Sequence, residues 1–205
     1  PALLAAAALP AAAQEPSRGG ELNTFTSGYR TLNPAVQSGA ATGVPGSQIF
    51  AGLALVGADY AVTPYLAESW EVSEDALSYT FHLVPGATFH DGEPIEAEDV
   101  AFSLEAVRAN HPFGQAMFGQ VEAVETPDPQ TVVIRLAQPV PGLLLSLQPL
   151  LLPILPRHVY GDGQELRSHP RNMEDVVGSG PFKVESNDLE RGLVLVRNED
   201  FFLEG

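Results

Sequence analysis

The residues able to do chemistry are few and scattered. Five histidines occur, His82, His90, His111, His158 and His169, and none pair at the i, i+4 spacing of a helical metal site. Gly178-Ser179-Gly180 sets a serine between glycines, but the spacing is not that of a nucleophile elbow, and a tight turn before a strand is expected. Asp91, Glu93, Glu96 and Glu98 could be paired as acid and base, yet Glu96 and Glu98 fall where a helix begins and its dipole favours negative charge. His90-Asp91-Gly92 has turn chemistry, because Asp bonds its own backbone and Gly accepts positive φ. No phosphate-binding loop or H-E-x-x-H helix is present. There is no cysteine, which excludes disulfides, thiolate nucleophiles, Zn–Cys sites and an N-terminal lipid anchor on Cys. The residues by themselves predict no enzyme, no metal and no cofactor.

The elements that must carry these residues come from 205 positions, enough for one large domain or two small ones. Ten Lys and Arg stand against 26 Asp and Glu, a formal charge of −16, which argues against nucleic acid and anionic membrane partners. No Lys or Arg lies from Thr31 through Val107, a stretch with eleven acids, and it reads as a solvated acidic lobe, with a cation-binding face as the alternative. Gly and Pro number 19 and 18, so many turns and short elements are expected. Residues 1–13 are uncharged, rich in Ala and Leu, and end in Ala11-Ala12-Ala13 before polar Gln14. They predict a signal-peptide remnant cleaved after Ala13; an Ala-rich structural helix is the other reading. The apolar stretch 143–155 is interrupted by Pro149 and Pro153 and does not predict a membrane span.

Residues 21–26 have extended character, and 31–46 read as a Gly/Ala/Ser/Pro loop. A helix follows over 47–55 with Ser47 as its N-cap. Ser78 to Leu83 alternates as a half-buried strand, and Pro85-Gly86 turns the chain. Val100, Leu104 and Val107 give a helix over 97–109 its core face. Strands at 121–126 and 131–136 form a hairpin around Pro127-Asp128-Pro129, and a second hairpin pairs 182–185 with 193–197. Residues 142–147 predict a buried helical turn, and 150–155 are ambiguous by periodicity.

The order of motifs carries a resemblance. Pro64-Tyr65-Leu66-Ala67-Glu68-Ser69-Trp70-Glu71-Val72, then Tyr79-Thr80-Phe81-His82-Leu83, Ala87-Thr88-Phe89-His90-Asp91-Gly92 and Ala97-Glu98-Asp99-Val100-Ala101-Phe102-Ser103 resemble the family 5 extracellular solute-binding proteins, the peptide-, dipeptide- and nickel-binding components of ABC importers. Leu32-Asn33-Pro34-Ala35, Ile154-Leu155-Pro156-Arg157-His158 and Val177-Gly178-Ser179-Gly180-Pro181-Phe182 are similar to further segments of that family. The chain departs from it at Ala76, where Gly is usual, at Val84, where a basic residue is common, and at Glu96, where a capping Thr is usual.

The resemblance implies an α/β, mixed-sheet fold of the type II periplasmic binding protein kind, in truncated form. Residues 14–46 would be the first part of domain I, 47–177 the small domain II, and 178–205 the return into domain I, with domain III absent. It implies a non-catalytic, monomeric periplasmic protein that closes by a hinge over a peptide and passes it to the permease subunits of an ABC importer. Chelated nickel or an oligosaccharide on the same fold is the alternative ligand, and a secreted carboxylate hydrolase the remote one. The implied ligand contact is Thr42-Gly43-Val44, with Pro45 holding Val44 extended so that the loop offers backbone groups to the peptide. Phe113 is a further candidate for the cleft wall. These 205 residues alone are expected to bind peptide weakly or not at all.

Overall fold

The computed structural model describes residues 19–24, 28–188 and 190–203. The expected signal segment and its cleavage point lie outside the described residues. Residues 21–24 belong to no strand among the described residues.

The centre is a four-stranded antiparallel sheet in the order β3-β4-β6-β5, formed by β3 (Ala67–Val72), β4 (Ser78–Leu83), β5 (Val121–Asp128) and β6 (Thr131–Leu136). Two short strands precede it, β1 (Ala54–Val56) and β2 (Val62–Pro64), paired only with each other. Alternation decides the inner face of the main sheet. Tyr79, Phe81 and Leu83 of β4 and Val132, Ile134 and Leu136 of β6 are buried, while the residues between them are partly buried or, at Arg135, exposed. Helix α2 (Ala97–Asn110) covers that face with Val100, Leu104 and Val107, all fully buried. The second expected hairpin is β7 (Phe182–Asp188) with β8 (Gly192–Arg197), somewhat longer than its sequence pattern.

Glu96, which stands where a capping Thr is usual, is supported from three residues on. Asp99 Oδ2 accepts from the Glu96 N–H at 2.9 Å, and its Oδ1 accepts from the Arg157 N–H at 2.9 Å. One buried carboxylate thus caps α2 and ties it to the short helix α4 (Arg157–Tyr160). Between them in the chain lie the brief helix α3 (Gly114–Phe118) and a 3₁₀ turn at Leu144–Leu147, where the sequence predicts a buried helical turn.

The first helix corrects the sequence reading. Residues 31–46 are not one loop, and the helix does not begin at Ser47: α1 spans Ala40–Ile49 with Pro45 inside it. Ser47 sits near its end and donates its hydroxyl to the Val44 carbonyl at 3.1 Å. Gly and Pro argue locally for a loop, but here they serve close packing. Gly46 lies so near Pro34 that a Cβ would come within 2.4 Å of its ring, and Pro45 and Ile49 are buried with it. Tertiary contact overrides the poor helix propensity.

Gly178-Ser179-Gly180 is not an ordinary turn either. The segment passes through the core, where the Ser179 hydroxyl accepts from the Ala51 N–H and donates to the Ile154 carbonyl, both at 2.9 Å. His90, expected only as a turn residue, grips both glycines. Its Nδ1 accepts from the Gly178 N–H at 3.1 Å, and its Nε2 lies 3.0 Å from the Gly180 carbonyl, so the ring is neutral with its proton on Nε2. A Cβ at Gly178 would meet the Ile49 carbonyl oxygen at 2.0 Å, and one at Gly180 the Gln48 carbonyl at 2.5 Å.

Three outcomes follow from this packing. Ala76 holds φ 55° in the β3–β4 turn, so Ala76→Gly should raise stability by about 0.5–1 kcal/mol, read as a higher Tm. Gly180→Ala pushes a Cβ into backbone and should cost about 3 kcal/mol in denaturant unfolding. Burial, aided by nearby Lys183, holds His90 below the ordinary histidine value of 6.5. The unfolded chain therefore takes up that proton first. Stability should be full above pH about 6.5 and fall between there and pH 5, where most carboxylates are still ionised. A Tm unchanged across that window would contradict the role given to His90.

Candidate binding cleft

A cavity of about 660 Å³ opens between α1, β1, the segment after the 3₁₀ turn and the junction of α2 with α3. Gly43 lets its walls approach, because a Cβ there would stand 2.2 Å from Leu150 Cδ1. Gln148-Pro149-Leu150-Leu151 forms the facing wall, held by the Leu151 and Leu152 amides donating to the Gln148 carbonyl at 2.9 and 2.8 Å. Leu55 and Val56 of β1 and the ring of Tyr65 add apolar surface. Burial pushes the Tyr65 phenol up to about 12, so it stays protonated. Tyr65 also packs against Phe201 and Phe202, with ring centroids 5.9 and 5.6 Å away.

Phe113 is placed by the end of α2. The His111 N–H donates to the Val107 carbonyl at 2.9 Å, and the Phe113 N–H donates to His111 Nδ1 at 3.1 Å. The two rings lie 5.8 Å apart, and Phe113 projects with 56% of its surface exposed. Burial depresses the His111 pKa, so this ring too is neutral. No Asp, Glu, Lys or Arg is among the residues lining the cavity, in a chain of net charge −16.

Of the residues singled out in the sequence, Gly43, Val44 and Phe113 line this one cavity. Thr42 does not: it is buried, and its hydroxyl donates to the Thr31 carbonyl at 2.9 Å. The expected extended edge at Thr42-Gly43-Val44 is corrected to a helical turn, since packing of α1 outweighs the preference Pro45 imposes on Val44. These residues therefore present no extended backbone edge, and toward the cavity the segment shows an apolar side chain, Val44, 53% exposed. Sequence reasoning missed Leu55, Tyr65, His111, Gln148 and Leu150 as wall residues. They come from separate segments and share no spacing, so no local signal marks them.

Asp91 Oδ2 lies 2.8 Å from His158 Nε2, and Glu98 pairs with Arg157. Among the described residues there is no cluster of three metal-ligating side chains, and no helix is long and apolar enough to cross a membrane.

Comparison with known proteins covers most of the chain. The profile of the bacterial extracellular solute-binding proteins, family 5 middle, matches residues 61–205. A Brucella ovis protein provisionally named an ABC transporter peptide-binding protein is 35% identical over 141 residues, 66% of this chain and 26% of its own length. Among solved structures, NikZ of Campylobacter jejuni in complex with Ni(L-His) has a TM-score of 0.77 at 28% identity, covering 87% of this chain and 35% of that one. OppA of Haemophilus influenzae, in complex with the peptide RPPGFSPFR, has a TM-score of 0.71 at 26% identity, covering 83% and 36%. The chain thus spans about a quarter of its first curated relatives and about a third of these solved chains. The α/β periplasmic binding protein fold expected from the sequence is the fold found.

A wall residue and a core residue should part company on mutation. Phe113→Ala should cost under about 1 kcal/mol, whereas Phe118→Ala, fully buried on α3, should cost about 3–5 kcal/mol in the same unfolding experiment. Equal losses would place Phe113 in the core.

Proposed function

The chain belongs to the bacterial extracellular solute-binding proteins, family 5, and from that premise we propose that it supplies one wall of a peptide-binding cleft in a periplasmic carrier serving an ABC importer. The observation that carries this reading is the wall itself: apolar, uncharged and lined by Val44, Leu150 and Phe113. Such a surface accepts varied side chains by burial, without selecting one by charge. Residues 47–177 act as the small domain II, flanked by parts of domain I at 14–46 and 178–205. Closure against an opposing lobe buries the ligand.

The protein is exported with cleavage after Ala13, works as a monomer, hands its cargo to membrane permease subunits and catalyses no reaction. Among the described residues no three metal-ligating side chains cluster, so the wall has no ligand set for nickel without its chelator.

Val44→Glu tests the wall. The position is more than half exposed, so the fold tolerates the change, but ligand binding would bury a charge against apolar surface. In calorimetric titration of the full-length gene product with short peptides, affinity should fall at least about tenfold, or 1.4 kcal/mol. Unchanged affinity in a folded variant would move the site elsewhere.

A further inference from the structure

A buried tyrosine encloses its ring readily, but its hydroxyl still needs a partner. Two tyrosines of this chain meet that need internally. The Tyr29 hydroxyl donates to Asn187 Oδ1 at 2.5 Å, and the Tyr160 hydroxyl donates to the Arg171 carbonyl at 3.0 Å. Tyr65 does not. It is 7% exposed and lines the cleft, and its phenol is perturbed by burial alone, with no hydrogen bond among the described residues. Among those residues the side-chain polar atom that is both unpartnered and shut off from solvent is His111 Nε2, so the Tyr65 oxygen is open. The space that opens beside Tyr65 is the cleft.

The ring is also held in place before any ligand arrives. Phe201 and Phe202 pack against it, with centroids at 5.9 and 5.6 Å. The backbone around it is pinned: the Tyr65 N–H donates to the Ala67 carbonyl at 3.1 Å, the Leu66 N–H to the Gly52 carbonyl at 3.3 Å, and the Ala67 N–H to the Leu53 carbonyl at 3.0 Å. A donor fixed in this way gives up little freedom on binding. Other polar side chains of the lining are engaged within the chain. The Ser47 hydroxyl donates to the Val44 carbonyl at 3.1 Å, Gln48 Nε2 to Ser47 Oγ at 3.4 Å, and Gln148 Nε2 to the Leu145 carbonyl at 3.0 Å.

We propose that the Tyr65 hydroxyl donates a hydrogen bond to a peptide-bond carbonyl of the ligand, which makes Tyr65 a recognition residue of the cleft. This deepens the peptide-binding reading and rests on it. A phenol donates better than it accepts, and the acceptors that every peptide carries are its backbone carbonyls. No charged side chain lines the cleft, so a neutral ligand group is the matching partner there. The two kinds of surface then divide the work. Val44, Leu150 and Phe113 meet side chains by apolar contact, and Tyr65 fixes the register of the backbone without reading the sequence.

The test is a thermodynamic cycle on the full-length gene product. The probes are trialanine and its two monothioamide analogues, each with one peptide carbonyl oxygen replaced by sulfur, a poor acceptor. Tyr65→Phe is the matching variant, since it keeps the ring against Phe201 and Phe202 and removes only the O–H. One of the two analogues should bind wild type about fivefold more weakly than trialanine. Tyr65→Phe should keep the wild-type Tm, bind trialanine about fivefold more weakly, and bind that analogue as well as it binds trialanine. Three results would overturn the proposal. If wild type binds both analogues as tightly as trialanine, no peptide carbonyl is read. If Tyr65→Phe still discriminates against the analogue, Tyr65 is not the donor. If Tyr65→Phe loses Tm while its affinity for trialanine is unchanged, the hydroxyl serves the fold and not the ligand. In each of these the wild type still binds trialanine, and the peptide-binding reading stands. Failure of trialanine to bind wild type at millimolar concentration would instead remove that reading, and this inference with it.

Discussion

At Gly178-Ser179-Gly180 the chain crosses its own core where there is no room for a Cβ. The Ile49 and Gln48 carbonyls at the end of α1 occupy that space. Around this crossing the buried polar groups are satisfied in a closed set. Ser179 bridges the Ala51 amide and the Ile154 carbonyl, the Gly180 amide donates to the Ile49 carbonyl, and His90 closes the ring from the far side. Satisfied networks of this kind are stiff, and leaving one member unpaired is costly. The rest of the architecture is hung from it. It fixes the C-terminal end of α1, precedes the separate β7–β8 hairpin, and anchors the segment that leads back from Leu150 to Ile154. The two walls of the cleft, α1 and residues 148–151, are thus held by one node.

That dependence explains why the cleft can be apolar and still keep its shape. Loop walls made of Gly, Pro and Leu would collapse on each other if their backbones were free. Here Thr42 is tied to Thr31, the Gln148 carbonyl holds two amides, and the Asn33–Asn172 amide pair at 2.9 Å, with the Leu32 amide on the Asn172 carbonyl, locks the turn before α1. Polar bonds behind the wall leave its face free for side-chain contact. The charge of the chain is kept outward, where Glu98 meets Arg157 and Glu125 meets Arg135 on exposed surface worth little to stability.

Elements whose burial follows a simple period were legible in the sequence. The alternation of Ser78 to Leu83 and the 3–4 spacing of Val100, Leu104 and Val107 report one buried face each, and both elements stand where those patterns place them. The hairpins were legible through their turn residues. Helix α1 was not, because Gly43, Pro45 and Gly46 look like loop residues until Pro34 and Leu150 are seen against them. The roles of His90 and Ser179 were hidden for the same reason: their partners lie 25 to 128 residues away in the chain. Of the cleft, Gly43, Val44 and Phe113 were picked out through family resemblance, but with the wrong backbone for the first two. Its remaining wall is assembled from separate segments, and no local pattern marks a residue that becomes a wall only by packing.

Hydrogen exchange on the full-length gene product, with and without a saturating short peptide, tests the central claim most directly. The rigid node and the cleft should behave differently. Amides of Ala51, Gly178 and Gly180 should exchange slowly with or without ligand, because only large-scale opening releases them. Amides at 39–44 and 148–151 should slow markedly once peptide is bound. Protection confined to the outer strand β3 or the β7–β8 hairpin, with 39–44 and 148–151 unchanged, would contradict the account.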